Sequence, residues 1–407
     1  MLDILIKNAS ELVTCKSKGP KAGRDLNALD VVTGGSLAIE GGRIVAVGDD
    51  IDEAARRVID ATGKTILPGF VDCHTHLVFS GSREDELALK ISGADYLEIL
   101  GSGGGIFSTV SSTRDAAFPE LVSTALSRVK TASDYGTTTI EVKSGYGLDM
   151  VNEMKMLTVV ANMRTNRRAE LVPTFLGAHV VPPEFSGSSA AYVREILKMI
   201  EELGKQPLAE YCDVFVEEGA FSVAEAREIL EKARNCGLKI KLHAGEFSDM
   251  GGVELGVEMK ATSIDHLDHV SEEGMRRMAE ERTIGVLLPG VPFHLMTGHY
   301  APARKLVESG VPIALATDFN PGSCPTLSMQ MVIALACRYM KLTAAEAINA
   351  STVNAAYAVD RGDRIGSLEV GKQADIIILD VPDHRQLPYW FGMNLVEMVI
   401  KNGRIVK

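Results

Sequence analysis

Two histidines separated by one residue, His74 and His76, close the apolar run Pro68-Gly69-Phe70-Val71-Asp72-Cys73. In a β-strand, side chains two apart share a face, so this pair could offer two imidazole nitrogens to one divalent ion. With nine histidines in 407 residues such a pair also arises by chance, as two rings satisfied by solvent or core. The context downstream favours metal. His243, in Lys241-Leu242-His243, and Asp318, in Ala316-Thr317-Asp318, complete three imidazoles and one carboxylate, a borderline N/O set suited to zinc or iron. Such an ion lowers the pKa of its water from about 15.7 to about 7, which makes hydrolysis the natural chemistry. Asp318, as ligand and neighbouring base, could take the proton released on attack. Glu246, three residues after His243, could carry a proton to a departing nitrogen; its bland reading is a solvated loop carboxylate.

These residues need a scaffold that gathers them. Eight apolar segments read as strands: Gly69–Cys73, Thr138–Lys143, Leu171–Leu176, Val214–Glu217, Ile240–His243, Ser263–His266, Gly285–Leu288 and Pro312–Ala316. Helical patterns separate most of them, such as Glu120–Tyr135 before Gly136 and Ala224–Cys236 before Gly237. Alternation of this kind predicts parallel βα units and an α/β fold, a (β/α)8 TIM barrel, whose catalytic groups sit at the C-terminal ends of the strands. The candidates obey that rule. His74 and His76 end strand one, Tyr146 follows strand two, His179 follows strand three, His243 ends strand five, His266 strand six and Asp318 strand eight.

Both chain ends read differently. Short strands at Asp3–Asn8, Glu11–Cys15, Ser36–Glu40, Arg43–Val47 and Arg57–Asp60 are joined by turn residues, with Lys16–Asp30 a polar loop. Ala374–Asp380, Leu395–Lys401 and the closing Asn402–Val406 repeat that style, and Gly42-Arg43-Ile44-Val45 nearly matches Gly403-Arg404-Ile405-Val406. The expectation is one small β-sandwich domain built from residues 1–67 and 358–407, around a barrel of residues 68–357. The excess of 54 acidic over 42 basic residues, net −12, argues against a nucleic-acid surface. Six scattered cysteines without a CxxC pair fit free thiols in a reducing cytosol. No secretion signal and no bilayer-spanning run is read, so a soluble cytoplasmic protein without a membrane partner is expected.

The ligand set and barrel resemble the amidohydrolase superfamily over essentially the whole chain, and its mononuclear members in particular, since Val216-Glu217-Glu218 shows no lysine to bridge a second metal. Within it the chain resembles the imidazolonepropionase family. Six stretches carry this likeness: Phe79–Glu84, Gly103–Ile106, Lys143–Leu148, Phe175–His179, His243–Phe247 and Ala316–Ser323. The resemblance implies opening of 4-imidazolone-5-propanoate to N-formimidoyl-L-glutamate, with one divalent or trivalent ion, zinc or iron, per subunit. It implies that His266 orients the attacking water or stabilises the developing oxyanion, and that Arg83 grips the propanoate, where a guanidinium fork suits a carboxylate. Tyr146, His179 and Glu246 are implied substrate contacts, with Asn320, Gly322 and Ser323 lining the ring side. A homodimer is common in the superfamily. Gly101–Gly105 reads as a mobile lid or a flexible turn.

Two other readings stand beside this one. A deaminase of cyclic amidines would share His-x-His, His243, Glu246 and Asp318, but would have no use for a carboxylate clamp at Arg83. A non-catalytic barrel kept for assembly would be free to lose ligands, whereas all four remain.

Overall fold

The computed structural model describes residues 1–93 and 104–407. Eight parallel strands form one sheet, each beside its neighbour in chain order: β1 Phe70–Asp72, β2 Thr137–Lys143, β3 Glu170–Ala178, β4 Tyr211–Val216, β5 Lys239–Ala244, β6 Ser263–His266, β7 Ile284–Leu287 and β8 Ile313–Leu315. All eight expected strands are present, with ends shifted by a few residues. Their near-continuous burial is what a parallel sheet covered by helices requires.

The seam between β1 and β8 closes just beyond their ladder ends. Asp318 N–H donates to the His74 carbonyl at 3.0 Å and His76 N–H to the Phe319 carbonyl at 2.9 Å. One turn below, the buried Asp72 carboxylate accepts from Thr317 N–H at 2.9 Å and from Thr317 Oγ1 at 2.7 Å. The contacts that complete the barrel therefore fix His74, His76 and Asp318 relative to one another.

The helices follow local sequence rules. The helix expected over Glu120–Tyr135 runs Phe118–Asp134, because Pro119 suits a first turn, where its missing N–H costs nothing. Val223–Asn235 opens with a capping box in which Ser222 and Glu225 satisfy each other's backbone N–H.

The chain ends build two further sheets. One orders Arg43–Gly48, Gly35–Glu40, Leu2–Ala9 and Ala55–Asp60; the other orders Arg404–Ile405, Val396–Lys401, Ile376–Leu379, Thr65–Pro68, Glu11–Val13 and Val31–Val32. Ile6, Leu37 and Ile39 of the first pack against Leu12, Ile66, Ile376 and Ile400 of the second. The two near-copies are two-residue hairpin turns, Gly41-Gly42 and Asn402-Gly403, all four residues at positive φ as this turn type needs. They abut: a Cβ on Gly403 would lie 2.7 Å from Gly42 Cα. Two strands lie outside the expected set, Val31–Val32 and Thr65–Pro68. The second is central, pairing with Ile376–Leu379 and with Glu11–Val13, and was hidden because it runs into β1 as one apolar stretch. The expected loop Lys16–Asp30 contains a 3-10 turn, Gly23–Asn27, which buries Leu26.

A candidate metal and catalytic site

The C-terminal ends of the barrel strands enclose a cavity of about 730 Å3, lined among others by His76, Arg83, Tyr146, His179, Glu246 and Asp318. His74 Nδ1 lies 2.6 Å from Asp265 Oδ2, and with the N–H placed there it donates to Asp265 and leaves Nε2 facing Asp318 Oδ1 at 3.2 Å. His76 Nε2 reaches the same oxygen at 3.2 Å. The His243 ring centroid is 4.5 Å from that of His74 and 5.2 Å from that of His266. Ligand-capable atoms cluster as two overlapping triplets, His74 with His76 and Asp318, and His74 with His243 and His266, each within 4.8 Å. His74 is common to both.

Fit to a cation can be judged from unmet bonding. His74 Nε2, His243 Nε2 and Asp318 Oδ1 are buried with no hydrogen-bond partner. Buried polar atoms are seldom left so, and an ion among them would satisfy them together. Asp318 is also prepared electronically: burial works against its charge, but His74 and His76 hold its carboxyl well below the usual range. At His74 burial opposes the cation, and Asp265 and Asp318 outweigh it.

Beneath the rings lies a buried charge network that sequence reasoning missed. Lys143 Nζ reaches Asp213 at 2.7 Å, Glu141 at 3.1 Å and Asp265 at 3.4 Å. Lys241 Nζ reaches Glu141 at 2.6 Å and the Cys73 carbonyl at 3.0 Å. Asp265 also accepts from Ser263 Oγ at 2.6 Å, and Asp213 Oδ2 stands 3.0 Å from His243 Nδ1, off the line of a good hydrogen bond. Two ammonium groups thus stand among three carboxylates in the barrel interior, one negative charge in excess, and two of those carboxylates face site histidines. The available signal was charge two residues before a ligand inside a buried strand, as at Lys241 and His243.

Glu246 Oε2 lies 3.6 Å from His266 Nε2, and burial with Asp318 nearby pushes its carboxyl well above the ordinary range. His266 is held to about 4 by burial. His266 and Asp318 sit at φ +82° and +53°, a left-handed conformation that costs free energy and concentrates at functional sites. His179 stacks on His76 at 5.1 Å between centroids, and burial lowers it to about 3. Tyr146 stands on a loop built by a buried carboxylate, Glu153, which accepts from Gly147 and Leu148 N–H at 2.8 Å each and from Gly145 N–H at 3.2 Å.

Arg83 sits differently from a simple clamp. Its Nε and Nη2 edge is taken by Glu86, at 2.9 and 2.7 Å, leaving the Nη1/Nη2 end toward Gly322. Glu86 also accepts from Gly105 N–H at 2.7 Å. Asn320 Nδ2 donates to Ser323 Oγ at 2.7 Å and to Asp318 Oδ2 at 3.1 Å, so Asn320, Ser323 and the second Asp318 oxygen form one unit on the cavity wall. Of the glycine stretch, Gly101–Gly103 lie outside the described residues. His269 stacks with His299 at 4.4 Å and His384 pairs with Glu11, both away from the cavity.

A family model described as the amidohydrolase family matches residues 65–406. A protein of Alkaliphilus metalliredigens named imidazolonepropionase is 47% identical, covering 100% of this chain and 98% of its own length. The protein of that name from Clostridium tetani is 43% identical, covering 99% and 98%. Among solved structures, an adenosine deaminase from Xanthomonas campestris with bound zinc has a TM-score of 0.73 at 20% identity, over 99% of this chain and 92% of its own. An atrazine chlorohydrolase from Arthrobacter aurescens complexed with zinc has a TM-score of 0.77 at 16% identity, over 99% and 95%. At these identities the solved structures bear on the fold alone.

Proposed function

Because the chain belongs to the amidohydrolase family and, within it, to the imidazolonepropionases, we infer that it opens the lactam ring of 4-imidazolone-5-propanoate to give N-formimidoyl-L-glutamate, a step of histidine degradation. The observation that carries this reading is the full-length match, at 43–47% identity, to proteins named for that one reaction.

His74, His76, His243 and Asp318 are the proposed holders of one metal ion per subunit, zinc or iron. The ion would supply Lewis-acid activation of water at neutral pH. The chain's own groups do the rest. Asp318 accepts the proton of the attacking water. His266 holds that water in line or donates to the oxygen that gains charge, a contribution of about 3–4 kcal/mol for such a donor. Glu246, with its proton retained by burial, delivers it to the ring nitrogen as the C–N bond breaks. The Nη1/Nη2 end of Arg83 binds the propanoate, Tyr146 and His179 flank it, and Asn320, Gly322 and Ser323 border the ring. The work is assigned to a barrel domain of residues 68–357, with residues 1–67 and 358–407 as the sandwich. No helix among the described residues is long and apolar enough to cross a membrane; a cytoplasmic homodimer acting on a small molecule, with no nucleic-acid or membrane partner, is the proposed setting.

Incubation with freshly made imidazolone propanoate tests the reading. Loss of ring absorbance with N-formimidoyl-L-glutamate as product is expected. An inert imidazolone propanoate together with ammonia release from a neutral cyclic amidine would replace it by a deaminase.

A further inference from the structure

We infer that Lys90 is a second cationic contact for the substrate carboxylate, acting beside Arg83 at Gly322; this rests on the imidazolone propanoate reading above. Arg83, at the start of helix Glu84–Ile91, and Glu86 and Lys90 within it are spaced so that neighbours three and four apart share a helix face. Lys90 Nζ lies 3.5 Å from the Gly322 carbonyl. Arg83 packs on the same residue, where a Cβ on Gly322 would come 2.1 Å from Arg83 Nη1. Both cations line the cavity.

Among the described residues the charges at this end of the cavity do not cancel. Glu86 gives both oxygens to Arg83, and that pair is neutral. Among the described residues no carboxylate lies within 4.0 Å of Lys90, and its one hydrogen bond is the long one to Gly322. Among the described residues one positive charge is therefore left over at the place where a propanoate of charge −1 is to be held. Burial, then the neighbouring Arg83, disfavours the Lys90 cation, a cost that a bound carboxylate would offset. The plain alternative is a lysine that merely complements the C-terminal dipole of its helix, and that role would leave ligand binding untouched.

Imidazole-4-propanoate keeps the ring and carboxylate but has no lactam carbonyl to hydrolyse, and 4-ethylimidazole lacks the carboxylate as well. Calorimetry with the metal-loaded protein should find Lys90→Met binding the propanoate about 10- to 100-fold more weakly, the range for one hydrogen bond to a charged group. The ethyl compound should bind unchanged, and Lys90→Arg should restore most of the loss. In turnover, Lys90→Met should raise KM more than it lowers kcat. Propanoate binding as tight in Lys90→Met as in the unaltered protein, or an equal loss for both ligands, overturns the inference. Those results alongside normal hydrolysis by the unaltered protein overturn it alone, whereas an unaltered protein that leaves imidazolone propanoate intact removes the parent reading and this inference with it.

Discussion

At the scale of single residues, groups that would hold the ion differ from groups that would aim or feed it. Asp265 belongs to the second kind, since its bond to His74 Nδ1 at 2.6 Å, with the N–H placed there, would leave Nε2 free for the proposed ion. Asp265→Ala is expected to weaken metal affinity about 10- to 100-fold, the usual effect of losing such a support, as read by competition with a chelator. Unchanged affinity would mean that packing in the barrel holds the ring unaided. Glu246 makes a different prediction. Its raised pKa keeps the donating, protonated form to higher pH than an ordinary carboxylate, so kcat should fall as pH rises through that pKa. Glu246→Gln should retain the metal, lose about 10²- to 10⁴-fold in kcat and lose this alkaline limb. Near-normal turnover with the limb intact would place the acid elsewhere. The rim residues were legible in the sequence because each ends a strand of a recognisable pattern. The role of Glu86 was not, because an Arg and a Glu three apart read equally well as a surface pair.

At the scale of elements, the loop after β2 shows how a helix can build a binding wall. Glu153, in helix Met150–Met163, gathers three backbone N–H groups of Gly145, Gly147 and Leu148 and so sets the path of Tyr146 between them. Glu153→Ala would leave buried donors unpaired at about 1–3 kcal/mol each. Partial relaxation should bring the net loss to about 2–4 kcal/mol in denaturant unfolding, with a rise in KM as Tyr146 moves. Unfolding free energy within experimental error of the unaltered protein would show that the loop keeps its path without the carboxylate. The sequence could not reveal this clamp, since a glutamate in the first helical turn is ordinary N-terminal chemistry. Strand existence was legible from apolar runs bounded by glycine and proline. Strand partnership was not, because Thr65–Pro68 finds its neighbour at Ile376–Leu379, some three hundred residues away.

For the whole molecule, the barrel seam and the proposed chemistry coincide, since the hydrogen bonds that join β1 to β8 run through His74, His76 and Asp318. The buried charges below are part of the same construction, with Lys143 between the carboxylates that face His74 and His243 and Lys241 joined to Lys143 through Glu141. Nothing in the sequence marks those charges as buried, because only closure of the barrel turns that face inward. On the proposed reading, one ion at this place enables ring opening. The most direct test is turnover of imidazolone propanoate by metal-stripped protein as zinc or iron is added back. Activity should be absent at the start, rise in proportion to added metal and level off at about one ion per chain, the stoichiometry of a single ligand set with an open position. Full turnover by protein shown to hold no metal would rule out a role for the ion in ring opening.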